Sequence, residues 1–124
     1  PTDAITQFAR VMEETEDYGF AKVKQEQQAL GDAVRTMLAQ RGIKSVAAKG
    51  FTAPGVVVSY TSDDGVHNGS KFVAQGMQIA AGVPLVCDEP VGFKTFRLGL
   101  FGLDKLHNVE RSVASLNTAL DKIL

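Results

Sequence analysis

The sequence predicts an α+β domain: a small, mostly antiparallel sheet of three to four strands covered by helices. Three observations carry that prediction. Apolar residues recur at helical spacing over the first third of the chain and again at its C-terminal end. Between them lie short β-branched and aromatic runs, separated by clusters of Gly, Pro, Asp and Asn.

The elements follow in order. "PTDAITQFARVMEET" sets Ile5, Phe8, Ala9 and Met12 on one helical stripe, with Thr2 as an N-cap and Asp3 placed for the helix dipole. A break over Glu16–Gly19 leads into a longer helix with the stripe Val23, Leu30, Val34, Met37 and Leu38, closed by Gly42 at C′. Its middle, Glu26 to Leu30, is sparsely apolar and is expected to face water. "KSVAA" reads as a short strand and "VVVSY" (56–60) as a firmer one. "TSDDGVHNG" is turn chemistry, "SKFVAQ" a short helix stopped by Gly76, and "MQIAA" a short strand, with a helix continuing to Gly82 as the competing reading. A Pro- and Gly-punctuated loop, "GVPLVCDEPVGF", precedes the strand "TFRLGL". Asn108 is placed to cap a last helix whose apolar positions are Val109, Val113, Leu116, Leu120 and Ile123. The expected order is α-α-β-β-α-β-β-α.

Composition narrows the function classes. The 124 residues are 44% hydrophobic and 22% charged with net charge −1, an ordinary balance for one globular domain. No basic run points to nucleic acid, and no apolar stretch approaches the ~18 residues of a membrane span. The N-terminus lacks the pattern of a secretory signal, and a lone cysteine, Cys87, fits a reducing cytoplasm.

No stand-alone catalytic constellation appears. A phosphate-cradling glycine loop is missing, and His67 and His107 lack Cys or carboxylate partners at metal-ligand spacing. They read as surface or capping histidines, Cys87 as an ordinary thiol, and Asp63, Asp64, Asp88 and Glu89 as solvated turn acids. Lys49, in "AAKGF", is given no role. Arg97 stands apart, one arginine inside "KTFRLGLFGLDKL". Strand alternation sends Phe96 and Leu98 to one face and Arg97 and Gly99 to the other. Gly99 lines the same side and is expected to keep the backbone beside the guanidinium open. On pattern alone, Arg97 faces either solvent or an anion.

Two stretches carry a resemblance. Gly76-Met77-Gln78-Ile79-Ala80-Ala81-Gly82, a loop, Phe96-Arg97-Leu98-Gly99-Leu100-Phe101-Gly102 and a closing amphipathic helix follow one another here. In that order they resemble the C-terminal small domain of class V aminotransferases, fold-type-I pyridoxal-phosphate enzymes. The similarity is to the alanine–glyoxylate and serine–glyoxylate (serine–pyruvate) branch. Ala81 departs from a frequent second glycine. The likeness runs along the whole chain, specific at 76–82 and 96–106 and loose elsewhere.

The resemblance implies a division into a helical lead-in over 1–43, including the interdomain helix, and an α+β small domain over 44–124. Together they would form one structural domain, a fragment of a larger chain. It further implies that Arg97 binds the substrate's α-carboxylate. The Schiff-base lysine, the aspartate under the pyridine nitrogen and the phosphate-binding groups would come from a large domain N-terminal to this region. The parent would then be a cytoplasmic homodimer moving an amino group between alanine or serine and glyoxylate or pyruvate. Pyridoxal 5′-phosphate would be its cofactor, and this fragment alone would be inactive, with no catalytic residue and no metal of its own. A related class V activity such as a desulfurase would need a loop cysteine, but "PLVCDEP" does not match that motif. The rival is a non-catalytic regulatory or dimerisation module that binds a small carboxylate.

Overall fold

The computed structural model describes residues 1–124. The chain forms helices α1 (Thr2–Tyr18) and α2 (Phe20–Gln40), strand β1 (Val56–Tyr60) and short helices α3 (Asp64–His67) and α4 (Ser70–Val73). Strands β2 (Ala80–Ala81) and β3 (Thr95–Gly99) and helices α5 (Leu103–His107) and α6 (Val109–Ile123) complete it. This is the expected α+β architecture, a three-stranded antiparallel sheet with six helices.

The sheet order is β1-β3-β2, so the last strand in sequence is the central one. Val58 and Ala80 both lie opposite Arg97. The run expected as a strand at "KSVAA" is reduced to a single bridge, Ser45 to Ser59, on the free edge of β1. Val46 donates to the Val58 carbonyl at 3.0 Å, and Tyr60 donates to that of Lys44 at 2.9 Å. Two such bonds, followed at once by a turn, are too few for a ladder.

In β1 and β3 alternation decides the faces. Val57, Phe96 and Leu98 are buried against the helices, while Val56, Val58 and Arg97 are half-buried on the opposite face. The core joins them to Leu30, Val34, Met37 and Leu38 of α2 and to Leu116, Ala119, Leu120 and Ile123 of α6. The second half of α2 therefore shares one core with the residues that follow it. Phe72 of α4 completes the cluster, its ring 5.9 Å from that of Phe96.

The helix ends show which local signals acted. Gly42, at φ 75°, closes α2 as a Schellman motif: its N–H donates to Ala39 O and that of Ile43 to Leu38 O. Thr2 is already helical, and Pro1 precedes it without a side-chain cap. Asn108 does occupy the N-cap of α6, but its amide donates back to the Asp104 carbonyl instead. The broad wet face expected in mid-α2 is not wholly wet. Gln27 is half-buried, and its Nε2 donates to the carbonyls of Pro54 and Leu100 at 3.2 and 3.1 Å.

Helix α1 is amphipathic as expected, yet it buries nothing. Ile5, Phe8, Val11 and Met12 point outward, and so does Phe20 just past Gly19. Tyr18 ties the end of α1 to the body: its ring stacks on His107 at 4.2 Å, Lys22 Nζ lies over it, and its hydroxyl donates to Glu26. That hydrogen bond to the carboxylate raises the phenol's pKa.

Candidate functional site

Arg97 sits at the middle of the middle strand. Its cross-strand neighbours on the same face are Val58 and Ala80, so no charged side chain stands directly opposite. Its Nε donates to the Ala81 carbonyl at 2.9 Å. The plane of the guanidinium is thereby tied to the edge strand. Both terminal nitrogens are left without an acceptor in the chain.

The other arginines differ. Arg10, Arg41 and Arg111 each pair with a carboxylate: Glu14, Asp121 and Asp104. Arg35 spends its guanidinium on Ser45 Oγ and on the carbonyls of Ala53 and Val56, pinning the 45–56 segment to α2. Burial lowers the Arg35 pKa, and these three acceptors take three of its five N–H donors. Arg97 is half-buried, held in orientation at one nitrogen, and free at the two that form a planar fork.

The open space expected at Gly99 is partly occupied. A Cβ there would meet the Phe101 ring at 3.4 Å, and one on Gly55 would meet the same ring at 2.7 Å. The first distance is ordinary contact, so it is the glycine at 55 that lets the ring lie across the sheet edge. The face beside Arg97 is thus lined by Val56, Val58 and a largely exposed Phe101, with Tyr60 and Phe93 packed edge-to-face beyond it.

The remaining candidates take local roles. His67 Nδ1 donates to the Thr95 carbonyl at 2.7 Å, and the His67 carbonyl accepts from Gly82, so this histidine fastens α3 to the sheet. No group of three or more His, Cys, Asp or Glu side chains is placed to hold a metal ion. Asp63 caps α3 through Val66 N–H and pairs with Lys71. That ion-paired hydrogen bond, helped by the cap, lowers its pKa. Asp64 pairs with Lys94. Lys49 is exposed in a turn, and no lysine of the chain is buried.

Of the two acids at the loop tip, Asp88 is exposed and Glu89 is not simply solvated. The Glu89 carboxylate gathers the backbone N–H groups of Leu85, Val86 and Cys87, while Val86 and Asp88 adopt φ near +60°. Its own N–H, and then those of Cys87, Leu85 and Val86, hold its pKa below the usual carboxylate range. Cys87 is exposed beside it. Reasoning from sequence missed this arrangement, as it missed Gln27 and Arg35. The one available signal was a carboxylate two to four residues beyond a run able to turn back on it.

No protein-family model matches the chain, and no curated protein matches it. No helix is long and apolar enough to cross a membrane.

Proposed function

We propose that this chain is the small domain of a pyridoxal-phosphate-dependent aminotransferase of class V and that Arg97 receives the substrate's α-carboxylate. The supporting observation is the state of the Arg97 guanidinium. It is oriented at Nε by Ala81 and unpaired at both terminal nitrogens on a half-buried, uncharged face. A carboxylate meeting such a fork makes two parallel charge-assisted hydrogen bonds, and the pre-set orientation limits the entropy lost. The bound amino acid is then held with its Cα–H in a defined direction, which is what a positioning arginine contributes to catalysis.

The residues present fit substrate recognition and not the cofactor. No lysine lies in the dry setting that favours a reactive amine; the two half-buried ones, Lys71 and Lys94, are neutralised by Asp63 and Asp64. Pyridoxal phosphate, when bound, supplies the electron sink, and under this reading a large domain upstream holds it. The amino donor would be alanine or serine, the acceptor glyoxylate or pyruvate, and the setting cytoplasmic. The outward apolar stripe of α1 suits a domain that packs against more protein.

Two measurements test the reading. The product of the natural gene should have about three times the 13.3 kDa of this chain and should carry the cofactor. In that protein Arg97→Lys should lower kcat/KM by roughly 10²-fold while leaving cofactor absorbance unchanged, since a point charge replaces a bidentate fork. Full activity in the lysine variant would refute the carboxylate role. A natural product of this size that binds small carboxylates would favour the non-catalytic module.

A further inference from the structure

On the helix side of the sheet, away from Arg97, a cleft of about 330 Å³ opens between α2, α6 and the segment leading into β2. Its floor is core: Leu30, Val34, Leu98 and Leu116 are each at most 8% exposed. Half-buried Met77 and Ile79 form one wall, and methionine adapts its shape to what it touches.

The rim is of opposite character. Arg111 gives one terminal nitrogen to Asp104 at 2.6 Å, leaving Nε and the other terminal nitrogen without an acceptor. Lys105 Nζ makes a single hydrogen bond, to the Phe101 carbonyl. The one acid at the rim, Asp104, is already paired, and the Arg111 hydrogen bond lowers its pKa so that it stays ionised. Two cations and one anion leave a surplus of positive charge and unused donors above an apolar floor.

We propose that this cleft binds an aliphatic carboxylate of about six to eight carbons, tail on the Leu30–Leu98–Leu116 floor and head at Arg111 and Lys105. The size follows from volume: 330 Å³ at ~30 Å³ per water-sized group holds about eleven heavy atoms. The chemistry follows from the donor-rich rim, which a carboxylate satisfies and an amine does not. The inference is independent of the Arg97 reading, because Arg97 does not line the cleft.

Octanoate titrated into methyl-labelled protein should give saturable shifts at Leu30, Val34, Ile79 and Leu116. Octylammonium, with the same tail and the opposite head, should bind at least tenfold more weakly. Ser115 is an exposed rim residue, so Ser115→Leu should fill the cleft and abolish the shifts without lowering the unfolding midpoint. Arg111→Gln should weaken binding about tenfold, and Arg97→Gln should leave it unchanged. Absence of saturable shifts, equal binding of the two head groups, or full binding by the Ser115→Leu variant would each overturn the proposal.

Discussion

Replacing Gly31 by alanine sets two magnitudes against each other. In an exposed helix the change would stabilise by about 1 kcal/mol, because glycine is the poorer helix former. Gly31, however, is buried in α2 where the helix meets the 45–55 segment. A Cβ there would lie 2.6 Å from the Pro54 carbonyl oxygen and 2.9 Å from its Cα, both backbone atoms that cannot rotate aside. Reaching ordinary contact near 3.4 Å requires the segment to retreat by roughly 0.8 Å. That movement strains the Gln27 hydrogen bond to the same carbonyl, at 3.2 Å, and the Arg35 bond to Ala53, at 2.9 Å. Overpacking of this kind costs about 1–3 kcal/mol, and losing one hydrogen bond about 1 more. After the propensity gain, Gly31→Ala should destabilise by about 1–3 kcal/mol. With a urea slope of about 2 kcal/mol/M, the midpoint falls by roughly 0.5–1.5 M. Because both effects act through Pro54, Gly31→Ala and Gln27→Ala should together cost less than the sum of their separate effects. A midpoint unchanged or raised in Gly31→Ala would show that propensity wins and that the close approach is not a constraint.

Other outcomes follow from contacts of the same kind. Arg41, whose guanidinium joins Asn117 and Asp121 and so ties α2 to α6, should cost about 1–2 kcal/mol as Arg41→Met; an unchanged urea midpoint would remove the tie from the account. The Glu89 carboxylate titrates below its ordinary 4.5 in the folded loop, so its ordering effect is complete above that value and is lost as pH falls through the lower folded one. Amides 85–87 should accordingly exchange slowly at pH 7 and lose protection in acid, whereas Glu89→Gln should expose them at both; protection that ignores pH would contradict this. His107→Ala removes the stack under Tyr18 and should speed amide exchange in the last turn of α1, with the global unfolding free energy changing by no more than about 1 kcal/mol.

What the sequence made legible was whatever repeats at a fixed period. The stripes of α2 and α6 and the alternation of β3 are each a row of side chains facing one core, so pattern and structure coincide. Arg97 was placed on the correct face for that reason. Its freedom was not legible, since the hydrogen bond that orients it runs to the backbone of Ala81, sixteen residues away in sequence. Short α3 and α5 escaped for the opposite reason. They are single turns fixed by Asp63, Gly102 and contacts to distant elements, with no room for a period to show. In α1 periodicity was right about the helix and silent about burial, because an apolar stripe states that a face wants cover and not which surface provides it.

The position of β3 carries a consequence for assembly. Both of its partners are synthesised before it, β1 about forty residues upstream. No ladder of this sheet can zip outward from a tight hairpin; each must first close a long loop, and that entropy is spent before any strand pairing returns it. Until Gly99 leaves the ribosome, α2 can meet β1 alone, and its stripe of Leu30, Val34, Met37 and Leu38 lacks the central strand and the closing helix that complete the core. The apolar stripe of α2 therefore stays partly open until residues 95–123 have emerged, and the strand that presents Arg97 is the first of the late elements that conceal it.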